Sequence, residues 1–155
     1  MGRYVYHGMI QHLEPNQIFV FGSNPEGRHG MGAARTAMQK FGAKYGQGRG
    51  LMGQSYGLIT KNLKAGYTDE RGITYEKSGW RSISKEMMIE NIKELYKCAR
   101  SMKEKQFLVA YSDSGKNLNG YTNREMASFF CDASERIPKN IVFEAGFYDL
   151  ITQCK

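Results

Sequence analysis

The chain has 155 residues, 41% of them hydrophobic and 24% charged, a globular balance that excludes disordered and fibrous classes. A chain of this length suits one domain, 1–155, and at about 68–70% burial of its unfolded surface it needs neither a disulfide nor a structural metal. Lys plus Arg number 22 against 15 Asp plus Glu, and the net charge of +7 with a pI near 9.3 favours an anionic partner.

The N-terminal residues Met1 to His7 lack the apolar core and small-residue cleavage site of a secretion signal, and no apolar run approaches the roughly 18 residues of a membrane span. The expected location is the cytoplasm, with no membrane association. Cys98, Cys131 and Cys154 show neither C-x-x-C nor zinc-finger spacing, so they read as buried or idle thiols in a reducing compartment. The positive residues are scattered, as in Lys61, Lys64, Lys77, Arg81 and Lys85, rather than gathered in one basic tract.

A short N-terminal piece can add an edge strand. Gln17–Gly22 is almost wholly apolar between Pro15-Asn16 and Ser23-Asn24-Pro25, the pattern of a central strand covered on both faces. A helix is predicted over Gly30–Phe41, with Ala33, Ala37, Met38 and Phe41 on one face, and Gly42 ends it. The glycine-rich stretch from Gly42 to Gly57 gives way to a strand at Ser55–Thr60. Residues 62–81 are polar and glycine-punctuated, the profile of a mobile excursion, and Trp80 within it takes no assigned role. Ser84 is placed to cap an amphipathic helix carrying Met88, Ile92, Leu95, Ala99 and Met102. Gln106–Tyr111 reads as a buried strand, Thr122 to Glu125 as a capping box opening a helix through about Glu135, and Ile141–Phe143 as a last strand. Alternating strands and helices predict an α/β fold of three layers, α/β/α, around a mixed, mostly parallel sheet.

Ligands in such sheets collect at the carboxyl ends of the strands. The first strong strand runs into Gly22-Ser23-Asn24-Pro25-Glu26-Gly27-Arg28-His29-Gly30-Met31-Gly32, a glycine-rich turn opening a helix, whose free N–H groups suit a pyrophosphate. The register matches neither a P-loop nor a dinucleotide fingerprint. Asn24 can grip ribose hydroxyls with both donor and acceptor, or close an Asx-turn. Lys61, just past the second strand, can pair with phosphate or serve as a nucleophile, and His29 can act as acid, base or phosphate donor, or be satisfied by backbone. A second loop, Ser112 to Tyr121, carries Gly115, Lys116, Asn117, Leu118, Asn119 and Gly120 into the next capped helix, and two such loops suggest a diphosphate between them. Tyr45, Tyr56, Tyr121 and Phe147 are candidates for stacking on adenine or packing in the core.

Leu13-Glu-Pro-Asn-Gln-Ile-Phe-Val-Phe-Gly-Ser-Asn24, Gly27-x-His-Gly-x-Gly-Ala-Ala34, Phe41-Gly-Ala43, Gly46-x-Gly-x-Gly-Leu51 and Gly53-Gln-Ser-Tyr56, with Phe107-Leu-Val109, Gly120-Tyr-Thr122 and Glu125-Met-Ala-Ser-Phe-Phe130 as a looser second half, resemble a macro-domain-like family of bacteria and their phages, over about residues 13–143. The resemblance implies binding of ADP-ribose, free or attached to protein or nucleic acid, by a monomer in the cytoplasm, the host's if the chain is phage-encoded. It implies a diphosphate held by Gly22, Ser23, Gly27, Gly30, Met31 and Gly32 with the second loop, the distal ribose near Asn24, and adenine near the last strand and Phe147. No cofactor or metal is implied. Leu58-Ile-Thr-Lys61 looks like the strand and lysine that attack the distal ribose in the ADP-ribosylglutamate hydrolase branch. That branch pairs the lysine with an aspartate where this chain has Asn119; an amide cannot take a proton as a carboxylate does, and Asp113 stands nearby as a substitute. The reading implied is hydrolysis of an ADP-ribosyl linkage or of ADP-ribose 1″-phosphate, with Asn24, Lys61, His29 and Asp113 carrying it. The alternatives are a reader of ADP-ribose without catalysis and a basic nucleic-acid-associated protein.

Overall fold

The computed structural model describes residues 3–111 and 117–154. Chain order is β1 (Val5–Tyr6), β2 (Gln17–Ser23), α1 (Gly32–Lys40), β3 (Gly50–Met52), β4 (Ser55–Ile59), β5 (Tyr67–Thr68), β6 (Thr74–Tyr75), α2 (Lys85–Ser101), β7 (Gln106–Val109), α3 (Asn123–Asp132), β8 (Ile141–Glu144) and α4 (Ala145–Thr152). Six strands form one sheet in the order β1-β8-β7-β2-β4-β3; β5 and β6 make a separate two-stranded hairpin. All neighbours in the large sheet are parallel except β3 and β4, which turn back on each other at the edge.

Residue alternation along β2 builds a layer on each side. Ile18 and Val20 face one cluster with Phe107, Ile141 and Phe143 of the neighbouring strands, covered by α2 (Met88, Ile92, Leu95, Ala99), α3 (Met126, Ala127, Phe130) and α4 (Phe147, Ile151). Phe19 and Phe21 face the other, covered by Ala34 and Ala37 of α1 with Phe41, Ala43 and Met52. The architecture is α/β with a mixed, mostly parallel sheet between helices, as the alternation predicts. The unanticipated α4 is only eight residues long, and Glu144 caps it by accepting from the Phe147 N–H at 3.0 Å.

Two expectations are corrected. The excursion from 62 to 81 is held in place by buried polar groups together with Tyr75, which joins the main core with Tyr67 and Ile73 packed against it. The Asn62 side-chain nitrogen donates to the carbonyls of Lys64 and Lys77 at 2.9 and 2.7 Å, and the Asn62 backbone carbonyl accepts from the Gly79 N–H at 2.9 Å. Asp69 accepts from the N–H groups of Arg71 and Ile73 and from the Tyr75 hydroxyl at 2.8 Å, closing the β5–β6 hairpin. The second correction concerns sulfur: Cys131 and Cys154, read as idle thiols, are joined in a disulfide, because α3 and α4 pack together and bring their Cα atoms to 6.5 Å. Cys98 is free and half-buried, and burial pushes its thiol above the usual range.

Burial pushes the Tyr75 hydroxyl up to about 12, with the hydrogen bond to Asp69 adding to it. Burial alone would also raise the Asp69 carboxyl, but the bonds from Tyr75, Ile73 and Arg71 outweigh it and hold the group below 3.8. A carboxylate lowered in the folded state contributes stability above its unfolded pKa and loses it as pH falls through the folded value. Protection of the Ile73 and Tyr75 amides, relative to their intrinsic exchange rates, should therefore fall as pH drops below about 4, ahead of that in β7, and Asp69→Asn should remove this pH dependence; amide exchange measured across that range checks it.

Candidate functional site

Because β1, β2, β4, β7 and β8 run in one direction, their last residues, Tyr6, Ser23, Ile59, Val109 and Glu144, share one edge of the sheet. At that edge the cover over β2 stops. Val20 and Phe21 are each 1% exposed, whereas Gly22 is open to solvent, so the central strand has an uncovered floor just where the alternation turns it toward the face of Ile18 and Val20. A side chain there would crowd Thr60, whose Oγ1 lies 3.0 Å from the Cβ position.

The turn from Asn24 to Met31 is braced from within. The Asn24 side chain donates to the Arg28 carbonyl at 2.9 Å and accepts from the Arg28 N–H at 3.0 Å, so both ends of the amide close the turn. Gly27 and Gly48 then let two loops meet backbone to backbone: a Cβ on Gly27 would lie 2.4 Å from the Gln47 nitrogen, and one on Gly48 would meet the Asn24 carbonyl oxygen at 2.0 Å. His29 is fully buried, its ring edge-on to Phe21 at 5.2 Å and its Nε2 donating to the Gln47 carbonyl at 2.8 Å, while Nδ1 has no partner. Gly27 and His29 thus hold the turn in place. Gly30, Met31 and Gly32 remain exposed, and nothing lies within 4 Å of a Cβ on either glycine.

The four helices of the described residues differ at this edge. Ser84, Thr122 and Glu144 cap α2, α3 and α4 with side-chain acceptors, and α3 has the full capping box with Glu125. Helix α1 begins at Met31 with no side-chain cap and no acidic residue in its first turn. Its orphan N–H groups and the positive end of its dipole therefore face solvent without a side-chain acceptor. Lys61, half-buried one residue past Thr60, donates its backbone N–H to the Ser23 carbonyl, and its ammonium has no hydrogen bond or ion pair among the described residues.

Ser112, Asp113, Gly115 and Lys116 of the second loop lie outside the described residues. The remainder of that loop is locked by its own side chains. Asn117 donates to the Tyr121 carbonyl at 2.9 Å and to Asn123 at 3.0 Å. Asn119 is buried, accepts from the Tyr121 N–H at 2.8 Å and turns its nitrogen to the Met126 sulfur, so its amide is a turn-closing group. Tyr121 is buried, with its hydroxyl on the Ile83 carbonyl and its ring edge-on to Phe129. Gly120 faces Trp80, and Leu118 is exposed.

Phe147 is buried against Phe130 and Phe143, with Tyr111 edge-on at 5.9 Å. Tyr56 is likewise a core residue, while Tyr45 is exposed. Around Phe147 the edge gathers residues that sequence reading missed. The Tyr6 hydroxyl donates to the Val109 carbonyl at 2.6 Å, and a Cβ on Gly146 would lie 3.1 Å from Glu144 Oε1 and 3.5 Å from the Tyr111 hydroxyl. Burial, with the nearby Glu144 and Tyr111, drives the Tyr6 hydroxyl well above the ordinary tyrosine range. Tyr111 and Glu144 stand at strand ends, and the rule that selected Asn24 and Lys61 selects them too.

Two cavities, of about 390 Å³ beside Gly46 to Arg49 and Glu70 and about 420 Å³ beside Glu94 to Ser101, include none of the expected site residues. Among the described residues no three His, Cys, Asp or Glu side chains are placed to hold a metal ion, and no helix is long and apolar enough to cross a membrane. Comparison of the chain with protein-family models, with curated proteins and with solved structures yields no match.

The two kinds of glycine in the first turn separate by substitution. Gly48→Ala, whose new methyl would collide with the Asn24 carbonyl, should cost at least about 2 kcal/mol, whereas Gly30→Ala should change stability by less than about 0.5 kcal/mol. Urea denaturation of the two variants measures both.

Proposed function

We propose that the strand-end edge binds ADP-ribose or an ADP-ribosyl derivative, with the diphosphate on the open start of α1 at Gly30, Met31 and Gly32. One observation carries the reading: α1 starts without a side-chain cap at the edge where the three other described helices are capped. A pyrophosphate supplies the missing acceptors, and Lys61, unpaired at the same edge, adds a positive charge. The exposed Gly22 gives the ligand a floor on the central strand. The identity of the nucleotide comes from the family resemblance.

In this reading the Lys61 amine, its proton passed to a carboxylate, attacks the anomeric carbon of the distal ribose and displaces the group linked there, or its ammonium holds a phosphate while water attacks. Asn24 and Asn119 act through shape, each spending its side-chain polar atoms on backbone or core neighbours, and His29 fixes its turn through burial and the single bond from Nε2 to Gln47. The carboxylate that hydrolysis of an ADP-ribosyl linkage or of the 1″-phosphate would use falls to Asp113. A reader of ADP-ribose without turnover is the second reading, and the engagement of the Asn119 amide with Tyr121 and Met126 favours it.

Met31→Asp tests the carrying observation directly. An aspartate at this extended N-cap position should satisfy the first-turn N–H groups and stabilise the protein by about 1 kcal/mol, while its charge displaces the diphosphate. Calorimetric titration should show ADP-ribose bound by the wild type in preference to AMP, and at least tenfold more weakly by Met31→Asp. Equal affinity in the variant would reject the site. Lys61→Ala should bind ADP-ribose but release none from ADP-ribosylated substrates; unchanged turnover would leave Lys61 without a catalytic role, and no turnover by the wild type selects the reader.

A further inference from the structure

We propose that the segment from Lys61 to Arg81 is a docking surface for single-stranded nucleic acid, with Trp80 as the platform on which a base stacks. Trp80 is 74% exposed, a large apolar surface left in water on an otherwise polar segment. It is nonetheless rigidly mounted. Its ring lies so close to Gly120 that a Cβ there would be 2.9 Å from Cε3, and the Arg81 guanidinium sits 5.4 Å from the ring centroid and 4.9 Å from that of Tyr121. Arg81 is fixed in turn. Its N–H donates to the Asn119 carbonyl at 2.9 Å, its Nε to the Gly120 carbonyl at 3.2 Å, and its Nη2 meets Glu125 at 2.8 Å. Arg81 holds φ at 50°, a left-handed conformation unusual for any residue but glycine, which these contacts enforce.

The neighbouring charge selects the occupant. Asn62 gathers the backbones of Lys64, Lys77 and Gly79 around itself, so Lys61, Lys64 and Lys77 lie close to one another and to the chain leading into Trp80. None of the three lysines is in an ion pair among the described residues. The acids of the same segment are mostly spent elsewhere: Asp69 on Arg71 and Tyr75, Glu70 on Arg49, leaving Glu76. A preordered aromatic ring beside unpaired ammonium groups matches a strand that offers phosphates and unstacked bases together. A duplex hides its bases, and an acidic peptide offers charge without a ring to stack. This surface shares Lys61 with the proposed nucleotide site, but its platform at Trp80 and its lysines at 64 and 77 lie outside that site, and its test uses no ADP-ribose.

Trp80 is the only tryptophan in the chain, so its emission reports on this position alone. A twelve-nucleotide oligothymidylate should quench that emission, and anisotropy of the labelled oligonucleotide should show affinity falling with salt at a log–log slope of about −2, three phosphate contacts at about −0.7 each. Trp80→Ala should weaken binding at least tenfold with the thermal midpoint retained. The double variant Lys64→Gln, Lys77→Gln keeps the fluorophore, and its slope should fall by about 1.4. Unquenched emission at saturating oligonucleotide, or a folded Trp80→Ala variant binding as the wild type does, would overturn the proposal. So would equal affinity for a duplex or for polyglutamate of the same length. If Trp80→Ala fails to fold, the wild-type quench and the lysine variant decide between these outcomes.

Discussion

Burial of β2 on both faces is the constraint on which the rest of the molecule depends. Ile18 and Val20 require helices on one side, Phe19 and Phe21 require them on the other, and a strand covered twice sits in the middle of a sheet whose neighbours are parallel to it. Parallel neighbours need crossovers, so the connection after each such strand leaves from one edge. Turns, helix starts and the polar excursion are delivered to that edge by topology alone. The exposed Gly22 marks where double cover ends.

Packing at the edge is achieved with backbone and amides in place of apolar side chains. Gly27 and Gly48 bring two loops into direct main-chain contact, and Asn24, Asn62, Asn117 and Asn119 each tie a loop to itself or to its neighbour. Such groups satisfy buried N–H and C=O positions that no ladder reaches. They also help to set the backbone positions of Lys61, Trp80 and Arg81. The polar edge is as determined as the core, by a different set of forces.

That division explains what the sequence made legible. Buried strands and amphipathic helices announce themselves through apolar runs and periodicity, and β2, α2 and β7 lie within two residues of where Gln17–Gly22, the Ser84 cap and Gln106–Tyr111 place them. The excursion carries no such periodicity; its order comes from Asn62 and Asp69 reaching across several residues and from Tyr75 entering the core, which a one-dimensional pattern does not display. Glycine is ambiguous in the same way. Gly27 and Gly30 look alike in a loop, yet one meets a neighbouring backbone and the other meets solvent. Asparagine at a strand end reads equally as a ligand contact and as a turn closure, and for Asn24 and Asn119 the side-chain bonds go to the turn. The disulfide between Cys131 and Cys154 depends on how α3 meets α4, a relation that spacing alone does not contain.

One arrangement shapes how the chain reaches this state. Strand β1 pairs with β8, Val5 beside Phe143, and Arg3 reaches the carbonyls of Ile137, Pro138 and Ile141. On a ribosome moving at about 5–20 residues per second, the first strand waits on the order of 10 seconds before its partner is made. Until then the outer face of the sheet has no β8, and β7 presents an open hydrogen-bonding edge. The N-terminal strand is therefore the latch of the domain: synthesised first, fastened last, and able to close only on a sheet that is already assembled.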